Sequence, residues 1–356
     1  MSLPQSNTLT TEKLGNVFAH TVATYKFFWF ISIMQIFVKR NNLRISVWDI
    51  VIRMVANAWY PIHYFRLSFG KSDSLFDIVT ILHKITQIPI DANKETIVGM
   101  LKERVNDKVI RDQLEILTLN VPYRFLSPWI RYTSDNDTIA RSQKFENNCL
   151  YSLHKKEDDF YIVLNEAWSS YLQKHYNILV DFTYWNLVSF LQPRNPNVPA
   201  IPSKLIRPET RNSLTRQHDY WDMVMQLSEP IHCIYTNAEL HPQAYDLDHF
   251  MPWSFVTHDL LWNLVPSDGS INSSKNDRIP NMDIYLPRLA DLQQHSLKVV
   301  LKAGKEPKIL EDYISLGYAP QELAGMSKGE FRNVYERVFN PLSQIALNMG
   351  FETWKY

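Results

Sequence analysis

The sequence predicts an α+β fold in which mainly helical N-terminal and C-terminal regions flank a small strand–strand–helix module. Three observations carry that expectation. Apolar residues recur at helical spacing over residues 11–119 and again over 286–349. Strand-like alternation is confined to one hairpin near 149–164 and to short runs between 232 and 250. One proline-rich break, QPRNPNVPAIP at 192–202, separates the long N-terminal region from the rest.

Taken in order, residues 11–39 fit one long helix, with Thr10 or Thr11 as cap and Glu12 in the first turn. Its run FFWFISIMQIFV falls short of the roughly twenty residues a membrane span needs. It also carries Ser32 and Gln35, so a buried core helix is expected. After Asn41-Asn42, Ser46 caps an amphipathic helix expected to stop before Pro61. Asp73 or Ser74 opens a third, stopped by Pro89, and 93–106 and 107–119 read as two more, charged on one face. Together these make a helical bundle with short connections. Residues 121–147 are loop-like; 149–153 and 160–164 then alternate as strands around KKEDD. A long aromatic helix is expected over 166–191. Beyond the linker, 211–227, 286–301, 307–316 and 327–349 read as helices. The expected domains are 1–202, 203–285 and 286–356.

Basic and acidic residues balance at 37 each, for a formal net charge of zero. A nucleic-acid binder is usually basic, so any positive surface must be local or supplied by a partner. Lys204, Arg207, Arg211 and Arg216, just before the module, are candidates for lining a backbone-binding groove. The two cysteines, Cys149 and Cys233, are far apart and form no CxxC pair, which speaks against a disulfide framework and against structural zinc. A reducing, cytoplasmic setting is expected, without a signal peptide, because residues 1–11 are polar with no basic start. No membrane association is expected.

The chemistry concentrates in YDLDHFMPWSFVTHDLLWNLVPSDGSINSSKNDRIP, residues 245–280. The runs 232–237 and 244–250 suit a hairpin, 252–263 a partly apolar loop, and 271–276 a short helix. Adjacent strand residues point to opposite faces. Asp248 and His249 therefore share a site only if the strand end bends, as nearby Pro252 suggests. A neutral His is the commonest general base near pH 7. Asp248 and Asn272 offer hard oxygens that suit Mg²⁺ or Mn²⁺ better than zinc. Lys275, one turn beyond Asn272, shares its helix face and would touch a phosphate as a point charge. Asp246 reads equally as an acceptor orienting the site or a solvated strand residue, and His241 and His258 as bystanders.

Tyr-Asp-x-Asp-His at 245–249, Pro252, Ser254-Phe255, Asn263, then Asn272-x-x-Lys275 and Asp277 together resemble the HNH (ββα-metal) endonucleases. The likeness is to the HNH domain of RNA-guided CRISPR effector nucleases in particular. The gaps from His249 to Asn263 and from Asn263 to Asn272 agree, and the zinc-knuckle cysteines of other subfamilies are missing, which is similar to the zinc-free branch. The resemblance covers residues 233–280. It implies His249 as general base, Asp248 and Asn272 as ligands of one Mg²⁺ or Mn²⁺, and Asn263 as the amide that holds the site loop. It further implies hydrolysis of DNA phosphodiesters. At the level of context, the helical flanks resemble bacterial restriction and anti-phage defence nucleases. The helical regions would then choose the target or dock a protein partner such as an ATPase. The competing expectation is a non-cutting or partner-gated nucleic-acid-binding or sensor subunit, with which the neutral charge and long helical region agree.

Overall fold

The computed structural model describes residues 3–157, 159–206 and 212–356. The chain divides into two compact units, Met1–Pro196 with Ile201–Arg207, and Asn197–Ala200 with Pro208–Tyr356. Among the described residues the sheets are all small, one of three strands and three of two, and helices supply most of the regular structure. No helix among these residues is long and apolar enough to cross a membrane.

In the first unit, helix α1 (Tyr25–Arg40) is the spine. Phe27 through Met34 are all essentially inaccessible, as is Phe37. The polar residues in this apolar run have a partner on α2 (Val47–His63): Asn57 donates through Nδ2 to Ser32 Oγ at 3.2 Å and to Gln35 Oε1 at 3.0 Å. A buried amide is tolerated when its hydrogen bonds are made internally. The single helix expected over 11–39 is broken instead. Thr11–Gly15 is followed by a 3₁₀ turn, Asn16–Phe18, and α1 begins only at Tyr25. Side chains satisfy carbonyls freed by the break, with Thr21 Oγ1 donating to Phe18 O and Lys26 Nζ to Val17 O, both at 3.0 Å. α2 also runs through Pro61 rather than stopping before it. Proline near a helix C-terminus removes one donor, and the Pro61 carbonyl finds Leu67 N at 3.0 Å.

Helices α3 (Ser74–Thr86), α4 (Lys94–Glu103) and α5 (Lys108–Ile116) start where caps predict, on Asp73, Asn93 and Asp107, each accepting a backbone N–H. The hairpin of 149–164 is present, and a strand too short to read in the sequence joins it. Strand β1 (Arg44–Ser46) pairs with β3 (Asp159–Leu164), which pairs with β2 (Tyr151–Lys156), giving the order β1-β3-β2. The helix expected over 166–191 is two, α6 (Glu166–Lys174) and α7 (Tyr176–Leu191), parted where His175 leaves helical geometry at φ −109° and ψ 19°.

The second unit has one continuous core that joins the 220–271 segment to the C-terminal helices. Helix α8 (Thr215–Leu227) leads into it. The hairpin expected between 232–237 and 244–250 does not form. Asn237, at φ +65°, closes a tight turn in which Cys233 N donates to Ala238 O, and the chain folds back so that Ile231–His232 meets Glu239–Leu240. Strand β4 (Asp246–His249) pairs instead, antiparallel, with β5 (Leu264–Ser267), in the register Asp246↔Ser267 and His249↔Leu264. Helix α9 (Gly269–Lys275), capped by Asp268, follows directly. Helix α10 (Met282–Lys302) starts four residues earlier than periodicity suggested, because Asn281 caps it and Pro287 is accommodated inside. Helix α11 (Lys328–Asn348) opens on a capping box of Ser327 and Glu330.

Candidate active site

The connection between β4 and β5 is where local sequence builds the site. Asn263 is fully buried and bonds both ways to one residue, donating from Nδ2 to Met251 O at 3.0 Å and accepting from Met251 N at 2.8 Å. Phe250 N donates to Asn263 O at 2.8 Å. This clamp turns the chain just past His249. The connection is tied down from the far side too: Leu261 N donates to Asp312, Trp262 Nε1 to Ser315, and Gln293 Nε2 to the carbonyls of Leu261 and Leu264. The C-terminal helices thus hold the loop in place.

His249 ends β4, with its side chain 13 % exposed, and its Nε2 lies 2.9 Å from Asp259 Oδ1. Asp259 is anchored in turn, since its carbonyl accepts from Gln217 Nε2 of α8 at 2.9 Å. The side chain of Asp248, on the other face of the strand, is buried to 3 % exposure. Lys275 Nζ donates to Asp248 Oδ1 at 2.9 Å and to His249 O at 2.7 Å, and Tyr235 OH donates to Asp248 Oδ2 at 2.6 Å. Tyr235 is set in an aromatic cluster with Tyr285 and Trp354. Burial first, and then the Asp248 carboxylate beside it, push the Tyr235 phenol well above its usual range, so it stays a donor. Lys275 is inaccessible. It is therefore placed as an internal counter-ion and not on a surface that a phosphate reaches.

Asn272 and Asp246 lie at the open side of the same strand and helix. Asn272 Nδ2 stands 3.5 Å from Asp246 Oδ2; Asp246 is exposed and Asn272 half-buried. Gly269 permits the approach, because a Cβ there would stand 3.0 Å from the Asp246 carboxylate. Amide O and N are interchangeable by a flip of the side chain, and the flipped Asn272 presents an oxygen beside Asp246. Two hard oxygens open to water fit an Mg²⁺-like cation, which keeps several waters and takes few protein ligands. Asp248 fits the same role only through lone pairs left over by Lys275 and Tyr235. Among the described residues no group of three or more His, Cys, Asp or Glu could hold a metal ion.

Of the basic residues before the module, Lys204 is buried in the first unit, 5.5 Å from the Phe65 ring, and Arg207 and Arg211 lie outside the described residues. Arg216 is exposed on α8 and lines a cleft of about 600 Å³ together with Gln217, Trp253, His258 and Asp259. The cleft therefore shares Asp259 with the His249 pair. Sequence reasoning did not single out Asp259 or Tyr235. Neither has a spacing signal, since one sits within an irregular connection and the other in a turn that looked like a strand.

Comparison with protein families matches residues 233–281 to the family model described as HNH endonuclease. No curated protein matches the chain. No solved structure matches it. The 233–281 match supports placing this segment in the HNH family, whose general activity is endonuclease hydrolysis of nucleic acid, commonly with a divalent metal ion.

Proposed function

We propose that the chain is a DNA endonuclease that uses His249 as general base and one divalent cation, Mg²⁺ or Mn²⁺, in bacterial restriction or anti-phage defence. The observation that supports it best is the half-buried His249–Asp259 pair at the strand end, within the 233–281 match and clamped by Asn263. Because Nε2 faces a carboxylate, it carries the ring proton, and Nδ1 is left with the lone pair. Among the described residues Nδ1 of His249 has no hydrogen bond. A water there gives its proton to Nδ1 as its oxygen attacks phosphorus in line, and Asp259 stabilises the imidazolium that forms. The bond to the 3′ oxygen breaks, leaving a 5′ phosphate. A divalent cation, when bound, would supply charge neutralisation at the phosphate and the leaving oxygen.

Asn272 would hold that cation with Asp246, and Asp248 would join them if Lys275 released it. Lys275 acts as a positioning residue through the His249 carbonyl. The defence setting rests on the resemblance of the helical flanks. The closed Asp248–Lys275 pair also favours a partner-gated form of the enzyme, in which docking loosens that pair and frees a ligand.

The test is supercoiled plasmid incubated with the purified chain and Mg²⁺ or Mn²⁺, with an EDTA control. Nicking only in the presence of metal is expected. Cleavage that persists in EDTA would contradict the metal-dependent reading, and DNA binding without cutting under every metal would favour the non-cutting one.

A further inference from the structure

We propose that the first unit carries a second ligand site, a pocket for a phosphate ester the size of a nucleoside monophosphate, built on Lys26 and Arg124. The break between the 3₁₀ turn Asn16–Phe18 and α1 opens a cavity of about 460 Å³. That falls in the range of small-molecule sites, roughly 300–1,000 Å³, and far exceeds what a lone phosphate fills. His20, Lys26 and Arg124 bring basic groups to its wall, while Val22, Ala23 and Val121 give it an apolar side.

Both cations are held in place by groups that do not neutralise them. Lys26 Nζ donates to Val17 O at 3.0 Å, which uses one of its three donors. The Arg124 guanidinium lies 3.4 Å over the Tyr132 ring. Neither forms an ion pair among the described residues. Of the carboxylates on neighbouring elements, Asp73 is buried and accepts from Thr24 N at 2.6 Å and Leu75 N at 3.1 Å, so its oxygens are turned to backbone, and Asp135 accepts from the Tyr132 hydroxyl at 3.1 Å. Burial, with Arg124 adding to it, pulls the Lys26 ammonium below its usual range. Two like charges in one cavity are costly unless an anion joins them, and an Arg fork beside a Lys point charge suits phosphate oxygens. The apolar side then takes the body of the ligand. The site is independent of the nuclease reading, since it uses none of those residues.

Calorimetric titration of the full chain with AMP tests it, with adenosine and inorganic phosphate as comparisons. AMP is expected to bind saturably, adenosine not to bind, and inorganic phosphate to bind more weakly than AMP. Lys26→Gln and Arg124→Gln should each weaken AMP by about tenfold or more, the loss of one charged hydrogen bond. Val22→Glu places a negative charge, which repels the phosphate, at the mouth where the side chain is 83 % exposed, so it leaves the core intact and should weaken AMP as well. No saturable AMP binding overturns the proposal, and so does equal affinity in the wild type and all three variants.

Discussion

Replacing Asp259 separates the orientation of His249 from everything else around it. The carboxylate meets Nε2 at 2.9 Å, and the two side chains are only 13 % and 19 % exposed, so solvent screens the contact little. A hydrogen bond to a group that becomes charged contributes about 1.5–3 kcal/mol. If that interaction is realised as the imidazolium forms, its loss slows the reaction by about ten- to a hundredfold. Asp259→Asn keeps the shape and an acceptor oxygen but not the charge, so about a tenfold fall in kcat is expected. Asp259→Ala removes both, so the fall should approach a hundredfold. The assay is plasmid nicking at saturating DNA with metal present, with urea midpoints measured in parallel to establish that both variants fold. Full kcat in a folded Asp259→Ala variant refutes the orienting role and, with it, the assignment of the ring proton to Nε2.

Three further outcomes follow from the same geometry. Asn263→Ala strands Met251 N and O in the interior and should cost about 2–5 kcal/mol in urea unfolding. Lys275→Met leaves the Asp248 carboxylate buried without its counter-ion, a loss of about 3–5 kcal/mol; the double variant Asp248→Leu/Lys275→Met should recover much of it, because the uncompensated charge is gone. In the first unit, burial and the neighbouring His83 lower His63 from 6.5 to about 4. The unfolded chain then binds a proton on this residue that the fold refuses. Stability is complete above pH 6.5 and declines as pH falls from 6.5 toward 4, by at most about 3 kcal/mol. His63→Gln should flatten that part of a plot of urea midpoint against pH.

What the sequence made legible were the features written in local chemistry. Asp73, Asn93, Asp107 and Ser327 cap helices where the side chain type announces it, and Asp246–His249 reads as a strand running into a bend. Pairing was not legible. The partner of β4 lies beyond an irregular connection, at Leu264–Ser267, and the nearer apolar run, 232–237, is drawn off by the left-handed Asn237 turn. The strand Arg44–Ser46 is three residues long, too short for alternation to register. The same limit applies to the site. His249, Asn263 and Asn272 stand out by type and spacing, whereas the role of Lys275 depends on which way a short helix packs. Placed over Asp248, it becomes a buried counter-ion, and no periodicity distinguishes that from a surface cation. Asp259 is invisible for a similar reason, since only the fold of the loop brings it to the imidazole.

The central claim is that His249 takes the proton from the attacking water. The most direct measurement is metal-dependent plasmid nicking by His249→Ala beside the wild type, with circular dichroism and urea midpoints matched. The account predicts that the variant folds and still binds DNA but that cleavage falls to the level of the EDTA control. Cleavage by a folded His249→Ala variant at the wild-type rate would contradict it.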